Sequence, residues 1–151
     1  HPLPEALDPW CYERGKIVPF TRASEVSGFE AVKNWTPAIE VGTRKGYTQV
    51  DMLVGSQPGD CLSLQFEGRA VGIMVAAGPD AGMIEFRIDS GDWQSLDLFT
   101  AWSTQLYLPW YYTLAAELEP GPHTLELRIG KEKNENSLGT SCILKSFFVN
   151  E

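Results

Sequence analysis

What most constrains the fold of this chain is a succession of short runs in which apolar and polar residues alternate, separated by glycine- and proline-bearing turns at fairly regular spacing. A period of two sends every second side chain to the same face of an extended backbone, so each run can bury one face and wet the other. Leu62, Leu64 and Phe66 alternate with Ser63 and Gln65, and Val71, Ile73 and Val75 follow the Glu67-Gly68 turn, a pattern that predicts a hairpin. After the loop Gly78-Pro79-Asp80-Ala81-Gly82, Ile84, Phe86 and Ile88 alternate with Glu85, Arg87 and Asp89, and Ser90-Gly91-Asp92 turns the chain into 93–98 as a second hairpin. Pro120-Gly121-Pro122 forces a turn ahead of Leu125, Leu127 and Ile129, and the polar loop 131–139 leads into a last apolar strand at 141–149. Weaker patterns at 16–20, 29–35 and 49–54 bring the strands to nine or ten, and helical periodicity is nearly absent. With 14 Gly and 10 Pro in 151 residues, the expected fold is all-β: an antiparallel two-sheet jelly-roll β-sandwich over residues 16–151, preceded by an extended arm or linker at 1–15.

The charge balance excludes some functions. Twelve basic residues stand against 20 acidic ones, a formal net charge of -8, which repels phosphate backbones and leaves no basic stripe for nucleic acid. No apolar run approaches the roughly 18 residues of a membrane span. The three cysteines, Cys11, Cys61 and Cys142, fit no zinc spacing, so no metal or other cofactor is expected. One bridge between the terminal cysteines Cys11 and Cys142 is an open alternative to three partly buried thiols, and Cys61 reads as a strand residue.

Catalytic chemistry finds little to work with. A hydrolase of the serine type needs a nucleophile held beside a base, and no Gly-x-Ser-x-Gly elbow is present. His123 follows the Pro-Gly-Pro turn, where packing or solvation explains it, and Asp80, Asp89, Asp92 and Asp97 all sit in or beside turns that favour aspartate. No catalytic residue is assigned.

The feature furthest from background is 93–112, which holds seven of the chain's seventeen aromatic residues: Trp93, Phe99, Trp102, Tyr107, Trp110, Tyr111 and Tyr112. The run between Phe99 and Pro109 lacks alternation and reads as a long connection, the kind of loop that carries function on a rigid scaffold. The C–H face of a sugar ring is apolar and slightly positive, and matches the negative face of an aromatic ring. Trp102, Tyr107 and Trp110 are therefore the candidate ligand-binding rings, with Asp80 as polar contact and Arg44, Arg69 or Arg87 as partner for a carboxylate should the sugar be acidic. Trp93 and Phe99 are assigned to the core. The competing reading of the whole segment is that its rings plug one end of a sandwich.

The run from Gly68 to Ile129 resembles a module appended to bacterial GDSL-type (SGNH) carbohydrate esterases, most specifically in Gly78-Pro-Asp-Ala-Gly82, Asp97-Leu-Phe-Thr100 and Leu108-Pro-Trp-Tyr111. The opening HPLPEALDPWCYERG looks like the junction between such a module and its catalytic domain. The esterase's own Gly-Asp-Ser and Asp-x-x-His blocks are missing from this chain: Gly59-Asp60 runs into Cys61, and Pro120 stands three residues before His123. The resemblance implies a galactose-binding-like, non-catalytic carbohydrate-binding module that targets a tethered esterase to a sialylated or acetylated glycan in a secreted or periplasmic setting. The alternative is a structural module that packs against the catalytic domain and binds no sugar.

Overall fold

The computed structural model describes residues 8, 10, 11 and 13–151; the rest of the arm expected at 1–15 lies outside the described residues. Two antiparallel sheets face each other. The larger has the order β3 (Glu30–Trp35), β4 (Val50–Gly55), β11 (Cys142–Asn150), β6 (Ala70–Ala77), β9 (Leu108–Ala115), with β1 (Gly15–Pro19) pairing the far half of β11 beyond the reach of β4. The smaller has the order β2 (Ser24–Ser27), β5 (Cys61–Glu67), β10 (Pro122–Ile129), β7 (Met83–Ile88), β8 (Gln94–Asp97). A short 3-10 helix (Phe20–Arg22) is the only helical turn among the described residues, and no helix is long and apolar enough to cross a membrane. The expected jelly-roll sandwich is the observed fold class.

The main core lies between the sheets and is made by the period-two positions. Leu62, Leu64 and Phe66 of β5, Ile84 and Phe86 of β7, and Leu125, Leu127 and Ile129 of β10 meet Val71, Ile73 and Val75 of β6 and Leu144, Phe147 and Val149 of β11. Burial of an aliphatic or phenyl side chain is worth about 1.5–3 kcal/mol each, so this layer is the principal source of stability. The connections 56–60, 78–82, 98–107 and 130–141 gather at one end, here the loop pole. The tight turns at 68–69, 89–93 and 116–121 gather at the other, the turn pole.

The expected strand pattern is corrected at two points and met at a third. The runs containing Leu62 and Val71 do not form a hairpin: β5 pairs with β10 and β2, whereas β6 pairs with β11 and β9, so the Glu67-Gly68 turn crosses from one sheet to the other. Gly68 makes this crossing at φ 147°, with its Cα so close to the Asn150 carbonyl that a Cβ would lie 2.4 Å from the oxygen. The second hairpin, β7–β8, is present, with Asp89 and Ser90 both in the left-handed region that its tight turn requires. Two strands go beyond the expected set, β2 and β9, and the last of the three candidate rings, Trp110, stands on strand β9 and not on the connection before it.

Cys11 and Cys142 are not bridged. The Asn150 amide donates to the Cys11 carbonyl at the turn pole, whereas Cys142 begins β11 eight residues earlier, about 26 Å away along an extended strand. All three cysteines are free, Cys61 as a strand residue of β5.

The two outer faces differ. That of the smaller sheet is polar, with ion pairs from Arg87 to Glu126 and Arg128 to Glu85. That of the larger sheet is apolar. Its loop-pole half carries a second cluster, Met52, Ala76 and Ile143 under Trp35 and Tyr107, closed by Ile39, Val41 and Tyr47 from the 36–49 connection. Its turn-pole half presents two register rows, Ile17–Phe148–Gly72–Thr113 and Pro19–Ser146–Met74–Tyr111, neither with a charged side chain.

Candidate functional site

The loop pole is built by hydrogen bonds that fix four connections to one another. Ser103, fully buried, donates its hydroxyl to the Ala77 carbonyl and accepts from the Thr100 amide, and the Trp102 amide donates to the Thr100 hydroxyl at 3.2 Å. Connection 98–107 is thereby a stiff turn rather than a slack loop. Gly42 bridges Leu106: its amide donates to the Gln105 carbonyl at 3.1 Å and its carbonyl accepts from the Tyr107 amide at 2.9 Å. The Ser137 hydroxyl, also buried, donates to the carbonyls of Ala81 and Pro79, and Asn134 donates to Asp97, so 130–141 is tied to the same platform.

On this platform Trp102 stands 61% exposed at the tip of its turn. Trp110 is 44% exposed on the edge strand β9, and its ring stacks on that of Tyr111, itself 65% exposed, with centroids 6.0 Å apart and planes within 20°. Two of the three candidate rings are therefore available to a ligand.

Tyr107 is not. It is 1% exposed, edge-on to Trp35 at 5.3 Å, with its ring lying across Gly78. Its role is to hold the 36–49 and 98–107 connections together. Burial, followed by the charge of Asp80, raises its hydroxyl above the ordinary tyrosine range. Asp80 turns one carboxylate oxygen inward toward this hydroxyl; that oxygen and the hydroxyl are both buried and close no hydrogen bond of good geometry. Only the other carboxylate oxygen of Asp80 is left for a ligand. Arg44 is exposed on the 36–49 connection, two residues beyond the Gly42 bridge.

Tyr111 was not singled out as a ligand contact, yet it is the most exposed ring of the aromatic segment. Tyr112 and Leu114, two residues apart, pack against the core, the Tyr112 hydroxyl reaching the Leu98 carbonyl at 3.3 Å and pushed up to about 12 by burial. That same period puts Tyr111 outward.

Trp93 is not in the core. It lies on the outer face of the smaller sheet, with the Arg128 and Arg87 guanidiniums 3.9 and 4.6 Å from its ring centroid. Phe99 does pack against the core, half-buried. His123 has both ring nitrogens engaged, Nδ1 with the Asp89 carboxylate and Nε2 with the Glu119 carbonyl, each at 2.6 Å. Two acceptors favour the imidazolium, which has no lone pair with which to take a proton from a nucleophile. Among the described residues no group of three or more His, Cys, Asp or Glu side chains is arranged to hold a metal ion.

With this geometry in hand, solved structures supply the comparison. A two-domain esterase active on acetylated mannans, crystallised with mannopentaose, superposes over 100% of this chain at a TM-score of 0.70 and 19% identity, and the match takes in 40% of the esterase. This chain has the fold of one part of a carbohydrate esterase. A family two carbohydrate esterase from Cellvibrio japonicus matches over 90% of the chain and 32% of its own length, at a TM-score of 0.57 and 14% identity. A Podospora anserina GH26-CBM35 β-(1,4)-mannanase matches over 92% and 28%, at 0.55 and 13%. The chain thus spans two fifths or less of each of these proteins. No protein-family model matches the sequence, and none of the curated proteins does.

Proposed function

We propose that this chain is a non-catalytic carbohydrate-binding module that holds a tethered carbohydrate esterase close to its glycan. The observation that carries this reading is the pair of exposed tryptophans, Trp102 and Trp110, raised on a hydrogen-bonded platform at one pole of a fold otherwise found as a part of carbohydrate-active enzymes. A solvent-facing ring on a stiff turn loses little entropy on stacking with a sugar. The outer oxygen of Asp80 and the Arg44 guanidinium are the polar groups proposed to meet its hydroxyl or acyl groups. Tethering raises the local concentration of substrate without adding chemistry.

The proposed ligand is an acetylated, uncharged glycan of the mannan type, the substrate class of the esterase with the same fold. Sialylated glycans are the alternative ligand, for which Arg44 would supply the carboxylate contact. The test is calorimetric titration of the isolated chain with mannopentaose, its acetylated form and a sialyl-oligosaccharide. Trp102→Ala and Trp110→Ala should each weaken binding by about 1–3 kcal/mol and leave the thermal transition in place, since neither ring belongs to a core cluster. Absence of binding to all three ligands would refute the reading.

A further inference from the structure

We infer that the turn-pole half of the larger sheet's outer face is the surface on which the catalytic domain of the same esterase chain packs, so that the module is a fixed wall of that enzyme and not a mobile tether. This rests on reading the chain as part of a longer esterase, and is independent of where the sugar binds.

The first ground is the composition of the face. An antiparallel sheet that meets water is ordinarily polar on that side, and the smaller sheet obeys with its Arg87–Glu126 and Arg128–Glu85 pairs. The larger sheet breaks the pattern over most of its outer face, where Glu30 and Lys145 are the charged exceptions. Over its loop-pole half the chain covers its own apolar surface with the 36–49 connection. Over its turn-pole half no described residue plays that part, and Ile17 is left 72% exposed beside Phe148. A groove of about 530 Å³ opens here, with Ile17, Phe20, Tyr47 and Met74 among its lining and Lys145 and Asp51 the charged groups beside them.

The second ground identifies the occupant. The Asn150 side chain, 4% exposed, accepts from the Arg14 amide and donates to the Cys11 carbonyl, so the polypeptide enters β1 along a fixed path. Ile17 lies three residues beyond Arg14, within about 10 Å. A domain joined through this arm is delivered to the edge of the apolar face. A second copy of the chain would bring its own charge of -8 against the same charge, which opposes self-association. A domain on the same chain meets this patch at a high effective concentration that no separate partner shares. Tyr111 stands where the two surfaces meet, stacked on Trp110 and edge-on to Phe148 at 6.4 Å.

The experiment compares the full-length esterase with the isolated chain by hydroxyl-radical footprinting of Met74, Phe148 and Trp102. Met74 and Phe148 should label several-fold more slowly in the full-length protein, with Trp102 unchanged. In the full-length protein Ile17→Glu should restore their labelling and split one thermal transition into two, whereas in the isolated chain the same substitution should leave the melt unaltered. Equal labelling of Met74 and Phe148 in the two proteins overturns the inference. So does protection in the isolated chain that is lost on dilution, which would signify a dimer, or protection that appears only with mannopentaose. Titrating the isolated chain with mannopentaose in parallel separates the two readings: binding without inter-domain protection refutes the docking surface alone, and protection without binding refutes the sugar site alone.

Discussion

Replacing Gly78 by alanine adds one methyl group where Tyr107 leaves no room. A Cβ at Gly78 would lie 2.2 Å from two carbons of the Tyr107 ring and 2.7 Å from a third. Carbon atoms rest at about 3.5–4.0 Å, so the ring must retreat by more than about 1 Å. The backbone contributes nothing to this cost, because Gly78 precedes Pro79, which favours an extended conformation that alanine also adopts. Overpacking of this kind costs about 1–3 kcal/mol, and loss of the edge contact between Tyr107 and Trp35 about 0.5–1.5, together about 1.5–4.5 kcal/mol. At about 2–4 °C per kcal/mol for a domain of this size, the melting temperature should fall visibly, and urea denaturation gives the free energy directly. The decisive measurement is a double-mutant cycle. In a Tyr107→Ala background the obstacle is gone, and Gly78→Ala should then cost less than about 0.5 kcal/mol. The single variant should also weaken sugar binding, because Tyr107 carries the amide that joins the 98–107 connection to Gly42. An equal cost of Gly78→Ala in both backgrounds would refute the assignment of Tyr107 as the support of the site.

Three further outcomes are expected. His123 is raised above its ordinary 6.5 by hydrogen bonds to Asp89 and then to the Glu119 carbonyl, so its contribution is complete below that pH and is lost as pH rises through the folded value. Asp89, lowered from 3.8 by His123, loses its contribution only as pH falls through a still lower value. The urea midpoint should accordingly be higher at about pH 5.5 than at about pH 8.5, and Asp89→Asn should flatten that difference, which a pH series of denaturation curves will check. Trp93→Ala removes two guanidinium–ring contacts at about 0.5–1 kcal/mol each and should leave mannopentaose affinity unchanged; a fall in affinity would move the sugar to the smaller sheet. Cys142, 1% exposed with its thiol pushed up to about 12 by burial, should resist a thiol reagent in the native state, and denaturation without reductant should expose all three thiols.

How much of this was legible in the sequence depends on the distance over which each feature is decided. Period two identified the inward residues of β5, β7 and β10 because alternation is local, and it identified the fold class because so many half-buried strands admit few arrangements. It could not say to which sheet a strand belongs. Leu62–Phe66 and Val71–Val75 look like hairpin partners, and only the pairing of each with distant strands, β10 for the first and β11 for the second, shows the crossing. In β9 the consecutive rings Trp110, Tyr111 and Tyr112 hide the alternation, because both faces carry aromatics. The burial of Tyr107 depends on an absent side chain at Gly78, and the position of Trp93 on its register beside Arg87. Neither is visible until strands are paired. Trp102, by contrast, was legible from its small and polar neighbours Thr100, Ala101, Ser103 and Thr104, which build a turn and leave the ring outside it.

The same alternation, followed strand by strand, separates the two sheets. In β5, β7 and β10 polar residues return at every second position, as a sheet with one wet face requires. In β6, Ala70–Ala77 reads AVGIMVAA without a polar residue, and β11 runs Cys-Ile-Leu and Phe-Phe-Val around a single Lys145-Ser146 interruption at its bulge. Continuous apolar strands of this kind belong to sheets covered on both faces. The 36–49 connection accounts for Met52, Ala76 and Ile143, which it buries. It does not account for Met74 and Phe148, which lie on the same strands and face the same way. Phe148 also spans Gly72, where a Cβ would meet its ring at 2.1 Å, so the glycine flattens this surface where any side chain would roughen it. A flat, largely apolar half-face with Lys145 and Asp51 as its charged groups, next to a self-covered one, is what a sheet built to be closed by a neighbouring domain should display, and that closure would place Tyr111, and with it Trp110, at the boundary where the docked esterase could share its glycan with the module.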